Sequence, residues 1–283
     1  MARLREGLRA TPSLVYRVFC TDSGGGHVDG CILNCTSRII PHAWTTTAKQ
    51  PAQVTQAPTH IYEYSKRSVR DIARRHLWTN RCSDSIFTSW TPSLGFALAY
   101  AAKLHELDVE GIHIAMVDRD IYDCQKGPLR GHFQGWCVPV LGQILGARST
   151  QDEPWWYMEH EILAFGIIEG PGFYSVPYED LLKAQLRALP ALWNMTFWST
   201  DKQRDWDRTS SIGERVTHKD ARRMKSVALA FGKDVAAAVT VALICRAHRV
   251  QRTGDKGGGS RRLEWKGAEY ATAFQEIDVK VIM

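Results

Sequence analysis

Residues 154 to 166 read PWWYMEHEILAFG, with two glutamates, Glu159 and Glu161, flanking one histidine at the head of an apolar run. Successive side chains of a strand alternate between faces, so Glu159 and Glu161 point one way and His160 the other. Two carboxylates side by side repel, so that one stays protonated or takes a cationic partner. Environments that push two carboxylates apart divide chemical roles between them. A cation stands far upstream, at Arg17 in VYRVF, and small hydroxyls stand at Thr88, Ser89 and Thr91 in IFTSWT. Each has an ordinary explanation when taken alone. The glutamates suit the solvated face of an edge strand, Arg17 suits a surface ion pair, and threonine is a common strand residue. Together they do chemistry only if three distant strands bring them to one cleft.

The elements that must do this are legible as patterns. VYRVF at 15–19 follows Pro12 and is rich in β-formers, which predicts a first strand. From Tyr62 to Leu77, apolar or aromatic residues at 62, 69, 72, 73 and 77 predict a helix with a basic solvated face at Arg70, Arg74 and Arg75. SIFTSWT at 85–91 predicts a strand. SLGFALAYAAKLHEL follows with Ser93 as a plausible N-cap and an Ala- and Leu-rich interior, which predicts a helix ended by Gly111. IHIAMVD at 112–118, VPVL at 138–141 and MEHEILAFGII at 158–168 are strand candidates. GFYSVP at 172–177 is expected to close a hairpin after the turn EGPG. Beyond Tyr178 the pattern turns helical, with EDLLKAQLRAL first. DARRMKSVALAFGKDVAAAVTVALICRAHRV then reads as one long helix or two broken near Gly232, and IDVKVIM at the end as a short strand.

The whole is mixed helix and strand with few clean βαβ units, over 283 residues carrying a formal net charge of +6. That mild, dispersed charge helps attract a phosphate-bearing ligand but does not by itself argue for nucleic acid. Seven cysteines at irregular spacings, without a CxxC pair, give a zinc site little support and favour free thiols in a reducing compartment. His160 reads as a packed histidine, with no metal expected. The first residues lack a secretory apolar core, and the apolar run at 235–245 is too short to span a bilayer, so a cytoplasmic protein with no membrane partner is expected. The glycines at 24–26 match neither common phosphate-loop pattern and read as a flexible turn. Trp155, Trp156 and Tyr157 suit either a core or an exposed recognition patch.

The order arginine, then hydroxyl-rich strand and helix, then Glu-x-Glu resembles the mono-ADP-ribosyltransferases with an Arg-Ser-Glu triad. It is also similar to fungal domains of uncharacterised function that carry a YRV start and a late EHE-type strand. The likeness covers roughly residues 14–177, although TSWT departs from the family's Ser-Thr-Ser. It implies an α+β fold, a split β-sandwich with flanking helices. A leader would span residues 1–13, the transferase-like domain 14–180, and a C-terminal mainly helical region packing on it 181–283. It implies NAD as the substrate, with Arg17 on the NAD phosphates and Thr88, Ser89 and Thr91 bracing the site. Glu161 would stabilise positive charge developing on the ribose, and Glu159 would orient or deprotonate the nucleophile. Trp155, Trp156 and Tyr157 would meet the target, a protein or small molecule bearing a guanidinium. Three alternatives stay open: an NAD glycohydrolase, a catalytically silent binding module, and a nucleic-acid-modifying member of the same superfamily.

Overall fold

The computed structural model describes residues 11–21, 37–44, 60–78, 85–125, 132–146, 161–189 and 218–249, together with residues 4, 7, 8, 23, 27, 28, 31, 32, 34 and 35. The chain divides into two compact units, Met1–Pro177 and Tyr178–Met283. In chain order the strands are β1 (Leu14–Phe19), β2 (His27–Val28), β3 (Cys31–Ile32), β4 (Asn34–Cys35), β5 (Arg38–Ile39), β6 (Phe87–Trp90), β7 (His113–Asp118), β8 (Gln134–Cys137), β9 (Ile162–Phe165), β10 (Ile168–Glu169) and β11 (Phe173–Pro177). The helices of the first unit are α1 (Lys66–Trp78), α2 (Leu94–Glu106), α3 (Arg119–Gln125) and α4 (Val138–Leu145).

Small antiparallel sheets beside helices make this an α+β fold. One sheet has the order β1-β7-β11, a second β6-β9-β8, and a third, shorter one β10-β5-β4. In the first, Arg17 lies opposite Ala115, which in turn lies opposite Ser175. In the second, Ser89 lies opposite Leu163, which lies opposite Trp136. Among the described residues one antiparallel bridge joins these two sheets, where Tyr16 and Thr91 exchange both backbone hydrogen bonds at 2.8 and 2.7 Å.

The second sheet is covered on both faces, and strand alternation sorts its residues between two cores. Phe87, Trp136, Leu163 and Phe165 belong to one cluster, with Val69, Ala73 and Leu77 of α1 and Leu141 and Leu145 of α4. Trp90, Ile162 and Ala164 belong to the other, with Val15 and Phe19 of β1, Ala115 and Val117 of β7, and Phe173 of β11. The leader is tied down: Leu4 and Leu8 pack on the first cluster, Trp136 Nε1 donates to the Leu4 carbonyl at 2.8 Å, and Thr11 Oγ1 donates to the Gly135 carbonyl at 2.7 Å.

Most of the expected elements are present, and three differ. Residues 138–141 open a helix, not a strand: proline is tolerated in a first helical turn, the buried residues recur at 138, 141, 142 and 145, and Gly146 ends the helix at φ 74. The run at 158–168 does not continue as one strand, because Gly166 at φ 100 breaks it and sends Ile168–Glu169 to pair with β5. The EGPG turn therefore carries the chain between two sheets and closes no hairpin; β11 pairs with β7. Ser93 caps α2 as expected, accepting from the Phe96 N–H at 3.1 Å.

The second unit contains α5 (Tyr178–Lys183), a short 3-10 turn at Leu186–Ala188, α6 (His218–Ala230) and α7 (Ala236–Arg249). The break between the last two falls at Gly232, with φ 121. Arg223 Nη1 donates to the Ala188 carbonyl at 2.9 Å. No helix among the described residues is long and apolar enough to cross a membrane. The expected terminal strand IDVKVIM lies outside the described residues.

Gly172 is where the backbone approaches too closely for a side chain. Its φ is +82, and a Cβ there would stand 2.6 Å from the Tyr122 nitrogen and 2.8 Å from the Asp118 carbonyl oxygen. Both are backbone atoms with no rotamer to change. Gly172→Ala is expected to lower the unfolding free energy by about 2 kcal/mol or more, from backbone strain and overpacking together. A urea melt measures this, and a loss below about 0.5 kcal/mol, the range of an ordinary surface substitution, would contradict the close approach.

Candidate functional site

The bridge between Tyr16 and Thr91 decides the site. It lays β1 along the far end of β6, so Arg17, one residue past the bridge, reaches the β6 backbone. Arg17 Nη1 donates to the Ser89 carbonyl at 2.8 Å. The Ser89 hydroxyl donates to Glu161 Oε1 at 2.5 Å. Three residues separated by 72 positions at each step thus meet at one serine. Glu161 stands immediately before β9, and its own carbonyl accepts from the Val138 N–H at 2.9 Å, which fixes the backbone that carries the carboxylate.

His76 completes the cluster. It lies on the buried stripe of α1 three residues after Ala73 and seven after Val69. Its ring contacts two serines, Nδ1 to Ser85 Oγ at 2.6 Å and Nε2 to Ser89 Oγ at 2.8 Å. The sequence reading placed this helix and missed the histidine. The signal was available, since position 76 shares the apolar stripe of positions 69 and 73, and a polar ring on a core-facing stripe needs partners.

The remaining expected residues are placed as follows. Thr88 faces the other side of β6, where its hydroxyl accepts from Trp90 Nε1 at 2.8 Å and donates to the Ala164 carbonyl at 3.4 Å. Thr91 Oγ1 accepts from the Ser93 N–H at 3.2 Å and so supports the start of α2. Ser89 is the residue that joins Arg17, through its carbonyl, to Glu161, through its hydroxyl. Glu159, Trp155, Trp156, Tyr157 and His160 lie outside the described residues. Among the described residues no group of three or more His, Cys, Asp or Glu is placed to hold a metal ion.

Charge is concentrated and poorly hydrated here. Burial raises the Glu161 carboxyl above its ordinary value, while the Ser89 hydrogen bond and the Arg17 charge pull it down. Burial lowers the Arg17 guanidinium to about 10, opposed by Glu161 and more weakly by Tyr100 and Cys20, so it stays charged at neutral pH. Burial lowers His76 to about 4, with the Arg17 charge adding to the effect, so the ring is neutral at neutral pH. Arg17 Nε is a buried donor without a hydrogen-bond partner. The arrangement couples an anion, a cation and a neutral ring through one serine, by its hydroxyl and its carbonyl, and that combination can stabilise developing positive charge or hold an anionic ligand.

No protein-family model, curated protein or solved structure matches this chain.

The ionisation of His76 and Glu161 has opposite effects on stability as pH falls. A histidine held neutral contributes stability that is present above its ordinary 6.5 and lost as pH falls through about 4. A carboxyl held above its ordinary value contributes stability that is present at acid pH and lost as pH rises through the folded value. The histidine effect amounts to roughly 3 kcal/mol at most, less where the outer ring edge meets water. His76→Gln is therefore expected to flatten the fall in urea midpoint between pH 7 and pH 4.5. An unchanged fall in the variant would show that the ring is not held neutral by this site.

Proposed function

We propose that the chain is an NAD-dependent mono-ADP-ribosyltransferase that transfers ADP-ribose to an acceptor bearing a guanidinium. The observation that carries this reading is the convergence of Arg17, Ser89 and Glu161, from three separate strand regions, through hydrogen bonds of 2.8 and 2.5 Å. On this reading the two sheets bridged at Tyr16 and Thr91 are the halves of a split β-sandwich.

The residues suit the substrate. NAD supplies a glycosidic bond to a cationic leaving group, whose cleavage develops positive charge on the ribose. Glu161 meets that charge as an anion whose desolvation cost is already met by the fold. Ser89 fixes one carboxylate oxygen by donating to it and leaves the other for a ribose hydroxyl. Arg17 gives one of its five N–H donors to the Ser89 carbonyl and keeps a guanidinium fork for phosphate oxygens; its unpaired Nε is consistent with a partner that arrives with the ligand. The role of Glu159 and the recognition role of Trp155, Trp156 and Tyr157 rest on the sequence resemblance alone.

Incubation with NAD is expected to release nicotinamide, measured chromatographically, with Glu161→Gln slowing release by about 100- to 1,000-fold, as for loss of one well-placed electrostatic group. The variant should be at least as stable as the wild type at pH 7, because a raised carboxyl pKa means the ionised form is disfavoured by folding. Wild-type protein that releases no nicotinamide, and whose melting temperature does not move with NAD, would overturn the reading.

A further inference from the structure

The hydrogen bonds around His76 run in one unbranched chain from the start of β6 to Glu161. Ser85 Oγ, 2% exposed as a residue, lies 2.6 Å from His76 Nδ1; His76 Nε2 lies 2.8 Å from Ser89 Oγ; Ser89 Oγ lies 2.5 Å from Glu161 Oε1. Ser85 also accepts from the Phe87 N–H at 3.1 Å and has a second acceptor for its own proton, the Phe87 carbonyl at 3.2 Å. That second acceptor is what makes the chain reversible.

With Glu161 ionised, Ser89 donates to the carboxylate, the His76 Nε2–H donates to Ser89, and Ser85 donates to His76 Nδ1. With Glu161 protonated, every bond reverses: Glu161 donates to Ser89, Ser89 donates to Nε2, the Nδ1–H donates to Ser85, and Ser85 turns its proton to the Phe87 carbonyl. The second state holds one proton more than the first, gained at Glu161 from solvent. The imidazole carries a single N–H in both, moved from Nε2 to Nδ1. Neither state leaves a chain member unpaired, and a neutral imidazole is the only side chain here that can donate and accept at opposite ends and exchange the two.

We propose that Ser85 and His76 are positioning residues that couple the proton on Glu161 to the tautomer of His76, so that the acting carboxylate can take up and return one proton without breaking a buried hydrogen bond. This rests on the reading of Glu161 as the acting group. Among the described residues, Ser89 of β6 and Arg17 of β1 act on Glu161, His76 of α1 reaches it through the Ser89 hydroxyl, and Tyr100 of α2 and Cys20 act on Arg17. As pH falls the buried carboxyl protonates ahead of the ring, because burial raises one and lowers the other, which leaves an interval with a neutral ring and a titrating acid.

The test needs no NAD, so its failure is separable from failure of the transferase reading. Ring 15N shifts of the wild-type protein, with the His76 signals assigned by their loss in His76→Gln, are followed between pH 8 and 4.5 beside the 13C shift of the Glu161 carboxyl. The expected result is an Nε2–H ring at high pH that inverts to Nδ1–H at the carboxyl midpoint. Ser89→Ala removes the hydroxyl that links the ring to the carboxyl, so in that variant the ring should hold one tautomer while Glu161 titrates. A wild-type ring that keeps one tautomer while Glu161 titrates overturns the proposal, as does an inversion at the carboxyl midpoint that persists in Ser89→Ala. Should that variant not fold, the wild-type titration decides alone.

Discussion

Ser89 is the point on which the site depends. Its carbonyl takes the Arg17 guanidinium, and its hydroxyl sits between Glu161 and His76. Along the edge of a sheet alternate backbone carbonyls point away from the ladder and are free for a side chain. β6 is such an edge strand, it ends at Trp90, and the next residue is shared with β1 through the Tyr16–Thr91 bridge. The join between two sheets and the meeting of a cation with an anion are therefore one structural event.

The two cores hold this junction from both sides. Val15, Phe19, Trp90, Ile162 and Ala164 pack together on one side of the second sheet, while Phe87, Leu163 and Phe165 pack with α1 on the other. Strand alternation then decides which hydroxyl reaches the carboxylate. Thr88 points into the Trp90 side and finds Trp90 Nε1, whereas Ser89 points to the α1 side and finds His76 and Glu161. A carboxylate in this setting costs desolvation free energy, which is why burial dominates its titration, with the Ser89 hydrogen bond and the Arg17 charge opposing it.

His76 shows how a helix can serve a site on a neighbouring sheet. Its place on the stripe of Val69 and Ala73 brings it to β6, and its two ring nitrogens span Ser85 and Ser89, four residues apart and therefore on one face of that segment. A leucine there would fill the same space and leave both serine hydroxyls without a ring partner. The polar ring inside the apolar stripe thus reports the site behind it.

The sequence alone determined the local matters: β1, β6, β7 and β11, the two helices α1 and α2 and the Ser93 cap, because period and caps act over a few residues; it left open whether the last helical stretch breaks at Gly232. It also singled out Arg17, Ser89 and Glu161 as candidates by residue type and order, with Thr88 and Thr91 beside them; that adjacent Thr88 and Ser89 must face opposite ways was already implicit in strand alternation. Only the tertiary structure decided that Ser89 is the shared partner, that His76 joins it, and that residues 168–169 and 173–177 pair with β5 and β7 instead of each other. Those outcomes are pairings between strands and helices tens of residues apart, set by which buried faces fit, and no window of local sequence carries that information. The helix at Val138–Leu145 stood between the two levels, for four apolar residues satisfy either period until Pro139 and Gly146 are read together as its ends.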